Sequence, residues 1–236
     1  MFVLDSRDRN TTPLSLAVNI VLRDGRVAIR SGGGWFNALF FFAIFSMFTA
    51  FALGPGREQL AAAAPALLWL GSALALNLAG IELFANDMKD GSLRVISAEN
   101  SSLGGYIAGK FTSLFLMAAA PIALVAPIFL VVFGIEPSLA FKGAAVFIAG
   151  LPALCLGAGV AAALTAGMGA NGLLGACLSA PATIPVLIFG VGAIQNVVQL
   201  GSGIDGSEFL ILIALDLIYL VILPPFAIIA LRYGLE

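Results

Sequence analysis

Six stretches of this chain are each long and apolar enough to span the hydrocarbon core of a bilayer, which leaves it few ways to fold. A crossing helix needs about 20 mostly apolar residues. The runs from Trp35 to Leu53, Ala61 to Phe84, Lys110 to Ile135, Gly143 to Ala166, Leu173 to Val198 and Phe209 to Leu231 meet that need. Lipid offers no partner to backbone N–H and C=O groups, so each run must close its hydrogen bonds internally, as a helix. Composition agrees: 61% of residues are hydrophobic and 10% charged, with a mean hydropathy of +1.07, far from the balance of a soluble domain. The expected fold class is an all-α membrane protein with six transmembrane helices.

Orientation follows from lysine and arginine, which short cytoplasmic loops retain. Arg7, Arg9, Arg23, Arg26 and Arg30 precede the first crossing, Lys89, Arg94 and Lys110 lie between the second and third, and Arg232 is in the tail. Only Arg57 and Lys142 fall on the other side. Both termini are therefore expected in the cytoplasm.

Two regions are expected, an N-terminal segment of residues 1–34 and a six-span membrane domain of residues 35–236. Leu14 to Leu22 is a short apolar core behind Arg7 and Arg9, but Arg23-Asp24-Gly25-Arg26 after it is no small-residue cleavage site. At ~100° per residue, Ser15, Asn19, Arg23, Arg26 and Arg30 fall within an arc of about 80°. That pattern predicts an amphipathic helix lying on the inner leaflet. Ser31-Gly32-Gly33-Gly34 then bends the chain into the first crossing.

The connections between spans are short except one. From Glu82 to Ser102 runs a polar island carrying Glu82, Asp87, Lys89, Asp90, Arg94 and Glu99, on the side assigned to the cytoplasm. Asn86-Asp87 can cap a short helix from Met88 to Ile96, placing Met88, Val95 and either Leu93 or Ile96 against a partner. A plain solvated loop is the simpler reading, but the other loops are about half as long.

Catalytic chemistry is nearly absent. With no histidine in the chain, imidazole acid–base catalysis, common zinc sites and histidine ligation of haem iron from this subunit are excluded. Cys155 and Cys177 are too far apart for a redox motif and read as buried free thiols. Gly104 to Lys110 has the GxxxxGK spacing of a phosphate loop, but Phe111 stands where Ser or Thr should hold magnesium. No enzyme activity is expected of this chain, and no metal site.

Two intramembrane acids are functional candidates, because charge in lipid is costly. For Asp216 the readings are a hydrogen bond to a neighbouring helix, a place on a translocation path, or proton chemistry. Glu82, near the cytoplasmic end of the second span, is expected to pair with a cation of the island or the N-terminal segment. In the fourth span, Ala153, Gly157, Ala161, Thr165 and Gly169 recur every fourth residue, a small-residue face for close helix packing within a subunit or across a dimer. The first-span aromatics, Phe40, Phe41, Phe42, Phe45, Phe48 and Phe51, surround their helix and are expected in lipid.

An amphipathic N-terminal helix, six spans and a helical loop after the second resemble the membrane subunit of ABC exporters of the ABC-2 type. Ala64-Pro65-Ala66-Leu67-Leu68-Trp69, Glu82-Leu83-Phe84, Asp90-Gly91-Ser92-Leu93 and Thr183-Ile184-Pro185-Val186-Leu187-Ile188-Phe189 look more specifically like the haem exporter protein B (CcmB) family of cytochrome c maturation. Each motif alone is weak, and their order from about Gly54 to the end is what carries the resemblance. Residues 1 to about 13 are an extension the family pattern does not require.

The resemblance implies a permease subunit, as a homodimer or a single copy within a larger complex, in a bacterial inner membrane; the lack of a presequence points the same way. It implies three partners: a separate ABC ATPase (CcmA-like) holding ATP and magnesium, a haem-handling membrane protein (CcmC-like) and a small accessory subunit (CcmD-like). Haem would be handled by the complex, with no cofactor bound directly by this chain and no nucleic-acid partner. The island would be the coupling helix, with Asp87, Lys89, Asp90, Ser92 and Arg94 touching the ATPase. The subunit would then either pass haem across the membrane or only transmit ATPase motion that releases haem-loaded chaperone. A sibling permease exporting a drug, lipid or glycan shares the architecture.

Overall fold

The computed structural model describes residues 12–31, 34–98, 103–166, 172–200 and 206–235, and every regular element among them is a helix. The all-α expectation is met. Helix α1 (Pro13–Ser31) begins where the sequence offers a cap followed by proline. The Ser15 backbone N–H reaches Thr12 Oγ1 at 3.4 Å and the Ser15 hydroxyl donates to the Thr12 carbonyl at 2.8 Å. Pro13 suits the first helical position, where its missing N–H leaves nothing unpaired. The extension at residues 1–11 and the glycines at 32–33 lie outside the described residues.

Then come α2 (Gly34–Leu53), α3 (Arg57–Gly80), the short α4 (Ala85–Lys89) and α5 (Ser92–Ala98), and α6 (Leu103–Leu114). A π-helical turn at Phe115–Ala119 joins α6 to α7 (Ala120–Val132). Helices α8 (Pro137–Thr165), α9 (Gly172–Leu200) and α10 (Ser207–Leu235) complete the chain. The π-turn precedes Pro121, whose ring would collide with the carbonyl four residues back, and a widened turn relieves that clash.

Among the described residues, five helical stretches are long and apolar enough to cross a membrane: Arg57–Lys89, Leu103–Val132, Pro137–Thr165, Leu174–Val198 and Ser207–Gly234. The apolar part of α2, Asn37–Leu53, is shorter, although the whole 20-residue helix rises about 30 Å at 1.5 Å per residue. Several boundaries differ from expectation; the fourth run, for one, opens at Pro137 rather than Gly143. The third crossing opens at Leu103 rather than Lys110, so the lysine sits inside a helix, where acidic partners neutralise it.

Helix α8 is the hub, packed most extensively on α9 and α10 and also against α3 and α7. At its centre Trp69 is fully buried, edge-on to Phe147 with ring centroids 4.9 Å apart. A Cβ on Gly150 or Gly190 would lie 2.7 Å or 2.4 Å from the indole, so the ring requires glycine on both α8 and α9. Of the small-residue face, Ala153, Gly157, Ala161 and Thr165 are buried, and a Cβ on Gly157 would meet Ala182 of α9 at 3.3 Å. That stretch packs within the chain; Gly169 lies outside the described residues.

Two expectations about exposure need correction. Phe42 is buried, its ring 5.4 Å from that of Phe129, because α3 and α7 cover that side of α2; Phe40, Phe48 and Phe51 are exposed. Cys155 is buried but Cys177, near the start of α9, is exposed.

A second apolar cluster gathers at the end of the bundle nearest α4 and α5. Ile20 of α1, Phe84, Leu93 of α5, and Leu103, Ile107 and Phe111 of α6 meet Ala162 of α8 and Leu231 of α10 there. This cluster ties the polar island to the rest of the fold.

Candidate functional site: a ring of charges beneath the island

After Gly80 the α3 helix loosens into a turn. Phe84 turns inward to 1% exposure, with its ring 6.1 Å from Tyr106, while Glu82 stays exposed. Helix α4 then presents Asp87 to the interior. At Gly91 φ is +76°, a left-handed conformation that favours glycine, and it breaks the island into α4 and α5 instead of the single helix expected from Met88 to Ile96. The Ser92 N–H donates to Asp90 Oδ1 at 2.9 Å and the Ser92 hydroxyl to the Asp87 carbonyl at 3.3 Å, which fixes the corner.

Beneath that corner four charged side chains close a ring. Asp87 Oδ2 lies 2.9 Å from Arg23 Nη2 and 2.8 Å from Lys110 Nζ, and it accepts a 2.6 Å hydrogen bond from the Tyr106 hydroxyl. Asp24 completes the circuit, with Oδ1 2.9 Å from Arg23 Nη2 and Oδ2 3.0 Å from Lys110 Nζ. The Asp87 and Lys110 side chains are each 6% exposed. Two acids and two cations make a neutral ring that joins α1, α4 and α6.

Helix α1 can approach α6 this closely because Gly105 and Gly109 face it. A Cβ on Gly105 would fall 2.4 Å from the Pro13 carbonyl oxygen, and one on Gly109 2.9 Å from that of Ala17. Small residues one turn apart thus form the seat of the interfacial helix.

Burial alone would raise the Asp87 pKa, but the charge and hydrogen bond of Lys110, with the bonds from Tyr106 and Arg23, hold it below the usual 3.8. For Arg23, burial works toward proton loss, and the hydrogen bond and field of Asp87 overcome it, so its pKa is raised. Both groups stay charged at neutral pH. The Asp87–Lys110 pair, each side chain 6% exposed, recovers its desolvation cost only with complete hydrogen bonding, and losing one member strands the others.

The residues singled out in the sequence divide accordingly. Lys89, Asp90 and Arg94 are exposed, Ser92 is half-buried, and Asp87 faces inward. Of the apolar set, only Val95 points outward, 59% exposed, while Leu93 is fully buried and Met88 and Ile96 pack against the second cluster. Glu82 is absent from the ring. Asp87 takes the cations, because the turn after Gly80 points Glu82 outward.

Asp216 stands apart, on α10. Its Oδ1 accepts a 2.6 Å hydrogen bond from the Ala153 backbone N–H, next to Pro152 of α8, and its Oδ2 is buried without a partner. Two further ties involve α9: Tyr219 of α10 donates to the Ala182 carbonyl at 2.8 Å, and Asn196 donates to Glu208 of α10 at 2.6 Å.

Sequence reasoning did not find the ring. Arg23 read as part of a basic stripe on the membrane surface, Asp24 only as part of a segment unlike a cleavage site, Lys110 as a boundary residue and Tyr106 as part of a false phosphate loop. The available signal was a lysine deep in an otherwise apolar helix, which needs an acid. Beside the ring opens a cavity of about 510 Å³, walled by α1, α2, α3, α4 and α6. Among the described residues, no group of three or more His, Cys, Asp or Glu side chains could hold a metal ion.

A profile described as CcmB protein matches residues 15–234. Heme exporter protein B of Bradyrhizobium diazoefficiens is 38% identical over 217 residues, covering 92% of this chain and 97% of the relative. The protein of the same name from Paracoccus denitrificans is 34% identical over 209 residues, 88% and 94% of the two chains. That from Escherichia coli is 29% identical over 170 residues, 72% and 77%. With the match running from α1 through α10, this chain belongs to the CcmB family.

Proposed function

We propose that this chain is the membrane subunit of a haem-exporter ABC system serving cytochrome c maturation, with six crossings, both termini in the cytoplasm of a bacterium and ATP hydrolysis in a separate subunit. The observation that carries this reading is the island. Its outer face offers Lys89, Arg94 and Val95, while its inner face is fixed through Asp87 to α1 and α6. A push on α4 and α5 is therefore delivered to the interfacial helix and the third crossing together, as a coupling element requires. A haem-handling membrane protein and a small accessory subunit complete the complex.

Of the two roles for such a subunit, transmission of ATPase motion fits better than passage of haem. Two propionates crossing lipid would need cations, and Lys110, the buried lysine of α6, is already committed to Asp24 and Asp87.

The test is genetic and biochemical. Deleting the gene should abolish covalently haem-stained c-type cytochromes, and the intact gene should restore them. Lys89→Glu with Arg94→Glu should fail to restore them and should release the ATPase subunit on purification while the protein stays in the membrane. Normal haem staining in the deletion strain would refute the reading.

A further inference from the structure

The cavity beside the ring has features the coupling role does not use. Its wall includes the ring, in which two acids and two cations cancel. The remaining ionisable groups of the lining are Glu82 and Asp90, two exposed carboxylates outside the ring. Ser113, 2% exposed, also lines the cavity, and its Oγ has no hydrogen-bond partner. Arg23 commits Nε and Nη2 to the two aspartates, which leaves Nη1 and a side chain 34% exposed. Leu78, Leu114, Met117 and Ala118 make the rest apolar.

Such a cavity suits an occupant with one cationic group rich in N–H donors, one anionic group and an apolar continuation. Its position narrows the class. It lies where the amphipathic α1 meets the crossing helices, at the depth of lipid headgroups, and a volume near 510 Å³ is within the usual range for a small-molecule site. We propose that the cavity binds the headgroup of a zwitterionic phospholipid bearing a primary ammonium, of the phosphatidylethanolamine kind. The ammonium lies between Glu82 and Asp90, the phosphate accepts from Arg23 and Ser113, and the acyl chains leave along the apolar wall. A choline headgroup has no N–H to give the carboxylates, and a glycerol headgroup brings net negative charge toward them, so both are discriminated against.

The full-length protein, purified in detergent, is offered dioleoyl phosphatidylethanolamine, phosphatidylcholine or phosphatidylglycerol at equal concentration. Bound lipid is counted by native mass spectrometry and thermal midpoints are recorded alongside. Phosphatidylethanolamine should be retained about tenfold over each of the others and should raise the midpoint. Glu82→Gln with Asp90→Asn should erase that preference while leaving the lipid-free midpoint unchanged, because both side chains are exposed and outside the ring and an asparagine at position 90 keeps a side-chain oxygen for the Ser92 N–H. Val27→Trp, which narrows the cavity from α1, should reduce retention of all three lipids. Equal retention of the choline lipid, preference for the glycerol lipid, or selectivity that survives the double substitution would overturn the proposal. Loss of ATPase association in the double variant, without lipid selectivity in the wild type, would assign the two acids to the ATPase subunit and overturn it as well.

Discussion

Replacing Lys110 with methionine keeps the length and apolar stem of the side chain and removes only its charge. Nζ donates to Asp87 Oδ2 at 2.8 Å and lies 3.0 Å from Asp24 Oδ2, and its removal takes the ring from neutral to one net negative charge. Both carboxylates must then share Arg23, in a place where Asp87 is only 6% exposed. Breaking a buried pair by removing one partner costs about 3–5 kcal/mol. For a chain of this size that corresponds to a fall in thermal midpoint of roughly 6–20 °C, read as loss of the monodisperse peak after heating in detergent. Adding Asp87→Asn to Lys110→Met should cost less than the two changes summed, by about 0.5–3 kcal/mol, because the second removes the charge stranded by the first. A Lys110→Met midpoint within about 2 °C of the parent, or strictly additive double-variant losses, would refute the ring as a coupled unit.

Because the folded Asp87 pKa lies below the usual 3.8, its contribution is fully present above that value and is lost as pH falls through the depressed one. The stability gap between the parent and Asp87→Asn should therefore be flat from pH 7 to pH 5 and close only below about pH 4; a gap already closing near pH 6 would contradict the assignment. Gly109→Leu should unseat α1, an overpacking penalty of about 1–3 kcal/mol. In a background lacking Cys155 and Cys177, a cysteine replacing the buried Ile20 should then react with maleimide faster than with Gly109 intact. Asp216→Asn keeps an oxygen for the Ala153 N–H and should support near-normal cytochrome c maturation, whereas Asp216→Leu leaves that N–H unpaired at about 1–3 kcal/mol and should lower it. Equal loss in both variants would argue for a carboxylate that changes protonation.

Much of the architecture was legible because lipid makes the rules strict. Apolar run length marked the crossings, the arc from Ser15 to Arg30 marked α1 as a helix, and the fourfold spacing from Ala153 marked the packed face of α8. The island's existence was legible too, but its inner and outer faces were not. With Asp87 and Lys89 two positions apart on one turn, nothing local says that the first is buried and the second exposed; the seat that Gly105 and Gly109 offer to α1 decides it. The ring was hidden for the same reason. Arg23, Asp24, Asp87, Tyr106 and Lys110 come from three separate segments, and each has an ordinary local explanation until the tertiary fold brings them together.

The ring also bears on how the protein is made. Its members emerge from the ribosome in three instalments, and at about 5–20 residues per second Lys110 follows Asp24 by roughly 4–17 s. Until then Asp87 lacks one cation and α1 is held only by its own attraction to the membrane surface. The circuit can close only if the chain leaving α3 and the chain entering α6 have returned to the leaflet on which α1 lies. An inverted hairpin would leave Arg23 and Asp24 on one side and Asp87 and Lys110 on the other, so that neither the Arg23–Asp87 nor the Asp24–Lys110 pair could form. Closure of the ring thus depends on threading: α1 is clasped only by a chain whose α3 end and α6 start lie on its own side.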